Sequence, residues 1–294
     1  MNKFTIKDLE NLSGIKAHTI RIWEQRYSFL KPQRTATNIR YYSNNELKML
    51  LNISLLNKYG YKISHINRMS NEELREKTLT LTGPQAQQER IINELIQHMV
   101  DMELESFEKI LDQYIVARGI EKTITYIIFP FMERIGLLWM TDHINPAQEH
   151  LMTNIIRQKL IVGIDNVVTP FSLNTKMLLF LPENEHHEVG LLFLQFLLKS
   201  RGVKVIYLGS NVPVKDLEYV VELKKPDYVY THLTTVMKEF NFDKFLNNLK
   251  IRLPQQQILI SGLLAQTFEK KTVPSNIRFL KSLTEVNELL STLS

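Results

Sequence analysis

The chain has 294 residues, of which 44% are apolar and 23% charged, proportions typical of a folded protein of two or three domains. It contains no cysteine, which excludes disulfides, thiolate metal sites and a cysteine nucleophile. No run of about 18 apolar residues could span a bilayer, and the N-terminal residues lack a signal-peptide core. We therefore expect a cytoplasmic protein.

Positive charge is concentrated at the N-terminal end of the chain. Residues 1–75 contain 13 Lys and Arg against 6 Asp and Glu, a net charge of +7, whereas the remainder contains 23 against 25. Most basic runs are solvated surface, but a small basic module joined to a nearly neutral body also predicts a polyanionic partner. The motifs of this segment favour the second interpretation.

The segment 1–75 has the pattern of an all-α winged helix-turn-helix domain. Thr5–Asp8 form a capping-box-like start, a turn follows at 13–15, and a second short helix is predicted at about 17–25. The second helix of such a motif lies in the major groove of DNA. A basic loop with aromatic residues, 31–42, fits a hairpin wing.

This segment resembles the MerR family of DNA-binding regulators, which act as dimers on near-palindromic promoters. The matches in family order are Thr19-Ile20-Arg21-x-Trp23-Glu24, Leu30-x-Pro32-x-Arg34 and Arg40-x-Tyr42. The resemblance implies that the second helix and the wing contact phosphates or bases, so that binding weakens steeply as the salt concentration rises. The residues expected to contact DNA are His18, Thr19, Arg21, Arg26, Arg34, Arg40 and Tyr42.

A helical module is predicted at 84–170. After a linker at 80–84, four amphipathic stretches are typical of a four-helix bundle. Trp139 follows the third stretch and Glu149-His150 begin the fourth; in isolation, these are a core aromatic and a pair on the helix surface. The four stretches cover about 85–100, 103–117, 120–138 and 146–167.

The remaining segment, 171–294, is predicted to be an α/β domain with a doubly wound, flavodoxin-like sheet of five parallel strands. Five strand-like runs alternate there with helical runs. Sheets of this kind bind ligands at the carboxyl ends of their strands. The five runs are 176–181, 203–208, 227–233, 257–261 and 277–280.

Glu185-x-His187-x-x-Gly190 lies where the first of these strands turns into a helix. His187 can offer a neutral ring nitrogen to a metal, while Glu185 can accept the other ring N–H and fix the tautomer. Gly190 leaves room on the helix for a group to pass close to the backbone. A histidine at a strand end is also commonly a loop or capping residue, and that interpretation stays open.

Other strand ends fall on the same edge of the predicted sheet and extend the candidate groove. Three further histidines, His143, His186 and His232, have no motif support and are interpreted as surface or loop residues. The strand-end residues predicted to line the groove are Val212, Thr231, Leu233, Ser261 and Gly262.

The motif at His187 resembles the Asp/Glu-x-His-x-x-Gly signature of cobalamin-binding domains, in which the His replaces the cofactor's own base below cobalt. Those domains often carry Ser-x-Leu and Gly-Gly at the third and fourth strand ends, where this chain has Thr231-x-Leu233 and Ser261-Gly262. The resemblance implies His187 as the cobalt ligand and the Thr231 hydroxyl as a partner of the displaced base. A sheet whose ligand site has decayed is the alternative.

Trp139-x9-Glu149-His150 resembles the motif of cobalamin-dependent photoreceptor repressors of the CarH/LitR group. In that group the bundle caps the upper face of adenosylcobalamin. The resemblance implies that Trp139 covers the upper ligand, Glu149 binds its ribose and His150 lies nearby. One departure is Met140, which stands where a His of the photoreceptors captures cobalt after light breaks the Co–C bond.

The resemblance covers nearly the whole chain and implies a transcriptional regulator rather than an enzyme. Its operator binding is expected to depend on cobalamin, adenosylcobalamin before methylcobalamin, through a change in a homo-oligomer (dimer or tetramer) and without a membrane partner. Two alternatives remain open. One is a corrinoid methyl carrier of a methyltransferase system, against which the DNA-reading module argues; the other is a regulator that has lost cobalamin and responds to a protein partner.

Overall fold

The computed structural model describes residues 2–27, 29–139, 144–234, 240–268 and 273–293, with the backbone alone at 137–139. The chain divides into two compact units, Met1–Ile155 and Ile156–Ser294. Within the described residues, no helix has both the length and the apolar character needed to cross a membrane.

The first unit begins with the predicted winged helix-turn-helix. Helices α1 (Ile6–Ser13) and α2 (Ala17–Arg26) are joined by a turn in which Gly14 has a φ of +73°, a conformation that favours glycine. The capping box at the start of α1 is confirmed, because Thr5 and Asp8 bond each other's backbone N–H. A short hairpin of β1 (Gln33–Arg34) and β2 (Arg40–Tyr41) forms the wing.

Three further helices complete the N-terminal module: α3 (Asn44–Lys58), α4 (Ile63–Ile66) and α5 (Asn71–Leu79). Capping boxes at Ser43 and Ser70 fix the starts of α3 and α5. The apolar side of α3 is buried, and α3 packs against both α1 and α6. It therefore lies between the helix-turn-helix and the bundle that follows.

The four predicted helical stretches of the bundle are confirmed. Helices α6 (Pro84–Asp101) and α7 (Leu104–Arg118) match the first two. The third stretch consists of α8 (Ile120–Thr123), a π-helical turn (Ile124–Ile128) and α9 (Phe129–Trp139), and the fourth is α10 (Pro146–Asp165). A π turn locally interrupts the series of i→i−4 hydrogen bonds. The sequence pattern did not predict it.

One partly buried polar network joins the helix-turn-helix to the bundle. Arg134 of α9 donates one N–H to Oδ1 of Asn93 in α6, at 2.8 Å, and another to the carbonyl of Leu12 at the end of α1. Asn93 in turn donates to the carbonyl of Leu51 in α3, at 3.3 Å. Burial lowers the pKa of Arg134 to about 10, which leaves the guanidinium charged at neutral pH.

The second unit confirms the predicted doubly wound sheet of five parallel strands, in the spatial order β4-β3-β5-β6-β7. Its helices are α11 (Val189–Ser200), α12 (Val214–Lys224), α13 (Phe242–Arg252), α14 (Leu263–Thr267) and α15 (Leu283–Ser291). The strands are β3 (Lys176–Pro182), β4 (Lys204–Val212), β5 (Tyr228–His232), β6 (Gln257–Ser261) and β7 (Ile277–Leu280).

The two faces of β5 have different neighbours because successive side chains alternate along a strand. Val229 belongs to the apolar core shared with α12 and α13, and Thr231 lies beside Phe180 and Ile260 of that same core. The side chains of the alternate residues, Tyr230 and His232, point to the face on which α11 packs. This alternation decides which side chain of β5 reaches the groove at the end of the sheet.

Candidate functional sites

The outer face of α2 carries the residues expected to contact DNA. His18, Arg21 and Arg26 are exposed, and Thr19 is half-buried with its hydroxyl 3.3 Å from Nε2 of His18. The opposite face buries Ile20 and Trp23 against the module. The helix therefore presents basic and polar groups outward from an anchored inner face, as a groove-reading helix requires.

The wing adds two arginines to this basic face. Arg34 is exposed and donates to the backbone and side-chain oxygens of Asn38, at 3.2 and 2.7 Å. Arg40 is half-buried and pairs with Glu24 of α2, with Nε 3.4 Å from Oε2. The ion pair ties the wing to the recognition helix.

The expectation that Tyr42 contacts DNA is corrected by the structure. The side chain is 0% exposed, and its hydroxyl donates to Oε1 of Glu24. Burial and the neighbouring Glu24 carboxylate raise the pKa of this phenol. Tyr42 is thus a core residue that positions Glu24, and through Glu24 the guanidinium of Arg40.

The residues expected above a corrin ring lie at the ends of α9 and α10. Trp139 is the last residue of α9, and its side chain and Met140 to His143 lie outside the described residues. In the first turn of α10, Glu149 accepts from the Thr153 hydroxyl at 2.6 Å, and its other oxygen lies 2.9 Å from Nδ1 of His150. The His150 side chain is 67% exposed, so a ligand can reach it.

The structure brings Glu185 and His187 together at the carboxyl end of β3. Nδ1 of His187 lies 2.6 Å from Oε1 of Glu185, and the same oxygen accepts the backbone N–H groups of His186 and His187, each at 2.9 Å. Glu185 is buried, whereas 39% of the His187 side chain is exposed. The carboxylate therefore holds the Nδ1–H tautomer, which places the ring's lone pair on Nε2.

The loop that carries His187 is fastened to β4 and to α10. The backbone N–H of Asn211 donates to the Glu185 carbonyl at 3.2 Å. Glu188 accepts from Tyr207 of β4 at 3.2 Å and from Arg157 of α10 at 2.5 Å. Burial, followed by the Glu188 charge, raises the pKa of Tyr207, so its hydroxyl stays a donor. The sequence alone does not reveal this network, because its members are far apart in the chain.

His186 is an exposed loop residue, as expected, but the same interpretation of His232 is wrong. His232 ends β5, is largely buried, and has Nδ1 2.7 Å from the hydroxyl of Ser261. Its ring lies directly against Gly190 in the first turn of α11. A Cβ on Gly190 would be 2.4 Å from Cδ2 and 2.5 Å from Nε2 of His232, so this contact requires glycine.

The environment of His232 keeps its ring neutral. Burial lowers the pKa of His232 to about 4, although the Glu185 carboxylate acts in the opposite direction. A neutral imidazole donates from one ring nitrogen and accepts at the other. Ser261 can serve either role, because a hydroxyl both donates and accepts.

Thr231, by contrast, does not reach this groove, which corrects the expectation that its hydroxyl meets a ligand's base. Its side chain points to the other face of the sheet, and its hydroxyl is buried without a hydrogen-bond partner among the described residues. Leu233 and Val212 are buried in the apolar core on that face. Gly262 has a φ of +93°, and a Cβ there would lie 2.3 Å from the Leu233 carbonyl oxygen.

Comparison with known proteins relates two segments of the chain to families. Residues 4–73 match the MerR HTH family of regulatory proteins, and residues 91–162 match the B12 binding domain family. The chain is homologous over most of its length to two HTH-type transcriptional repressors of Myxococcus xanthus. It is 26% identical to CarH over 86% of both chains, and 26% identical to CarA over 96% of this chain and 94% of that one.

A solved structure supports the fold of about two thirds of the chain. The monomethylamine corrinoid protein of Methanosarcina barkeri aligns with 69% of this chain and 98% of its own, with a TM-score of 0.51 at 12% identity. At that identity the likeness concerns the fold alone.

Proposed function

We propose that this protein is a transcriptional regulator that binds operator DNA through its N-terminal module and is controlled by a bound cobalamin. The observation that carries the cobalamin half is the Glu185–His187 pair at the carboxyl end of β3, at 2.6 Å. Homology to two repressors and the matches to MerR and B12-binding families support both halves.

The residues present fit a corrinoid. A bound cobalamin would supply its own cobalt ion, and a single protein imidazole would suffice to hold that ion from the protein side. His187 takes this role with Nε2, and Glu185 orients the ring and increases its basicity through Nδ1–H. Gly190 lies in the first turn of α11, three residues after His187, and Ser261 ends β6, which is separated from β3 by β5 alone.

The upper side of the corrin is proposed to meet the bundle. Trp139 covers the upper ligand, Glu149 binds its ribose, and His150 lies beside Glu149, at 2.9 Å. This pocket suits adenosylcobalamin, whose Co–C bond is broken by light. Met140 would offer a thioether where the photoreceptors have an imidazole, so this chain lacks a second histidine ligand at that position.

The ligand is proposed to act on DNA binding by shifting the population of oligomeric states. A homo-oligomer presents two copies of α2 to a near-palindromic site. If cobalamin binds one assembly more tightly than another, it shifts the population toward that assembly and so changes the affinity for the operator. The size of this change is limited by the difference between the affinities of cobalamin for the two assemblies. Arg21, Arg26 and Arg34 are the exposed arginines proposed to contact this DNA.

The test is a visible absorption spectrum after the protein is mixed in the dark with adenosylcobalamin and desalted. Corrin bands that co-elute with wild type and shift or weaken in His187→Ala establish a histidine-ligated corrinoid. The exposed neighbour His186 supplies the matched control, since His186→Ala should retain the wild-type spectrum. If no corrinoid co-elutes with either upper ligand, adenosyl or methyl, cobalamin control is excluded and a DNA binder with a different effector remains.

Illumination of the same sample tests the light response. A protein that senses light changes its oligomeric state, measured by size-exclusion chromatography with light scattering, when the Co–C bond breaks. An unchanged elution after complete photolysis contradicts light control while leaving cobalamin binding intact.

A further inference from the structure

The space beside Gly190 is filled by the chain itself. The imidazole of His232 lies where a side chain at position 190 would otherwise project, with Cδ2 only 2.4 Å from the ideal Cβ position. Its Nδ1 is held by the Ser261 hydroxyl at 2.7 Å. The ring thus closes the gap between the end of β5 and the first turn of α11.

This gap has a specific use if the proposed function is correct. If His187 holds cobalt in place of the cofactor's own base, as the resemblance to cobalamin-binding domains implies, that base would need a separate place in the protein. Gly190 follows His187 by three residues and lies in the first turn of α11, where the absence of a side chain reduces the helix surface to backbone. A planar base can enter between helix and sheet at that point only if the imidazole of His232 leaves.

The imidazole matches the displaced base in chemistry. Both are flat, neutral nitrogen heterocycles, and imidazole is the five-membered half of a benzimidazole. The ring of His232 stays neutral because burial lowers its pKa to about 4. Ser261, which holds Nδ1 of His232, is equally able to donate to or accept from a ring nitrogen of a benzimidazole.

We propose that His232 is an internal plug that occupies the slot for the displaced base until a complete cobalamin enters. The inference rests on the proposed function and adds a specificity-determining residue to it. A corrinoid without a nucleotide base binds without moving His232, whereas a complete cobalamin binds only to molecules in which the ring has turned away. The apparent affinity for cobalamin is therefore reduced by the open fraction, while that for the truncated ligand is not.

The experiment compares two ligands that share a corrin ring and an upper ligand: adenosylcobalamin and adenosylcobinamide, which lacks the nucleotide and its base. Dissociation constants are measured in the dark by absorbance titration of the full-length protein. If the plug is closed in about nine of ten ligand-free molecules, His232→Ser tightens adenosylcobalamin binding roughly tenfold. Adenosylcobinamide binding stays within about twofold, because that ligand does not use the slot.

Two further variants make the result decisive. His232→Asn keeps a neutral planar group within reach of Ser261 but is too short to cover Gly190, and it should reproduce His232→Ser. His186→Ser removes an exposed histidine from the neighbouring loop and should leave both dissociation constants unchanged. Thermal unfolding without ligand confirms that each variant is folded.

Three results overturn the plug. Weaker adenosylcobalamin binding in His232→Ser, with adenosylcobinamide unaffected, means that His232 holds the base instead of blocking it. Equal changes for both ligands, or none, mean that His232 acts only in packing. If neither corrinoid binds to wild type or to any variant, the proposed function itself fails. That result is distinct from failure of the plug alone, in which wild type still binds corrinoid and His187→Ala still abolishes the ligation.

Discussion

A single contact, the one between Gly190 and His232, carries much of the interpretation of the C-terminal site. The glycine by itself indicates room beside the helix, and it does not say what fills that room. In the structure, the imidazole of His232 fills that room, and His232 ends β5, the neighbour of β3 in the sheet. The residue at position 190 and the residue at position 232 therefore have to be considered as a pair.

The pairing predicts a coupled effect on stability. Gly190→Ala should cost about 1–3 kcal/mol of unfolding free energy in wild type, because the new methyl group collides with the ring of His232. In the His232→Ser background the collision is gone, and alanine should be neutral or stabilising by up to about 1 kcal/mol through helix propensity. Urea denaturation of the four proteins gives the coupling free energy.

The matched control is Gly136→Ala, a second helical glycine beside which an added Cβ meets no described atom within 4 Å. It should be neutral or stabilising in both backgrounds. Additive effects of Gly190→Ala and His232→Ser would contradict the contact.

The neutral ring of His232 predicts a pH dependence. Its pKa is lowered to about 4 from an ordinary value of 6.5, so between these values the unfolded chain binds a proton that the folded chain excludes. Stability should be complete above about pH 6.5 and fall as the pH drops toward 4, by roughly 2–3 kcal/mol from this residue alone.

The measurement is the difference in unfolding free energy between wild type and His232→Asn at pH 7 and pH 4.5, in which the other titrating groups cancel. Wild type should lose more stability than the variant. An equal loss in both proteins would show that His232 is protonated, or readily solvated, in the folded chain.

At the scale of elements, most of the fold could be predicted from the sequence. Apolar runs bounded by turn residues located all five strands of the sheet, and β6 and β7 have the predicted bounds. β4 extends to Val212, beyond the predicted end at 208, through a register shift against β3. Hydrogen bonds of that end with the His187 loop explain the extension, and such bonds leave no trace in a hydropathy pattern.

The site was only partly predictable. Glu185, His187 and Gly190 lie within six residues, so one local motif defines their chemistry and spacing. The opposite wall of the groove is formed by those β5 side chains that point toward α11. Because β5 is buried on both faces, the sequence alone does not tell whether Thr231 or His232 points that way. Tyr42 was misplaced for a similar reason, since a tyrosine in a basic loop can point either way.

The network around Arg134 is an element-scale feature that the sequence did not indicate. It joins α1, α3, α6 and α9 through two side chains, Arg134 and Asn93. Arg134→Ala leaves the Leu12 carbonyl and the Asn93 amide oxygen without this partly buried donor. We expect a loss of about 2–4 kcal/mol in the unfolding free energy measured by urea denaturation.

The control for Arg134→Ala is Arg118→Ala, which removes an exposed arginine at the end of α7 and should change stability by no more than about 0.5 kcal/mol. A comparable loss in both variants would mean that the network adds nothing beyond surface charge. Because α9 ends at Trp139, this network and the packing of α9 on α1 both connect the proposed corrin cap with the helix-turn-helix within the first unit.

At the scale of the whole molecule, the net positive charge is concentrated in the segment expected to bind DNA and not in the segments expected to bind the corrinoid. The excess of +7 in residues 1–75 belongs to the DNA-binding module, and the near-neutral remainder belongs to the bundle and the sheet. Counterion release then makes operator affinity depend on salt through the N-terminal module alone. Substitutions at the corrinoid site should shift affinity at all salt concentrations without changing the salt slope.

The salt slope also distinguishes residues that touch phosphate from residues that only support them. Arg21→Ala removes an exposed guanidinium from α2 and should lower the slope of log Kd against log salt by about one, measured by fluorescence anisotropy on operator DNA. Tyr42→Phe should leave the slope unchanged and instead lower stability by about 1–3 kcal/mol, because Glu24 loses a buried donor. Arg118→Ala, which removes a charge from the bundle, should change neither quantity. If Tyr42→Phe lowers the slope as much as Arg21→Ala, the wing rearranges on DNA to expose the Tyr42 hydroxyl.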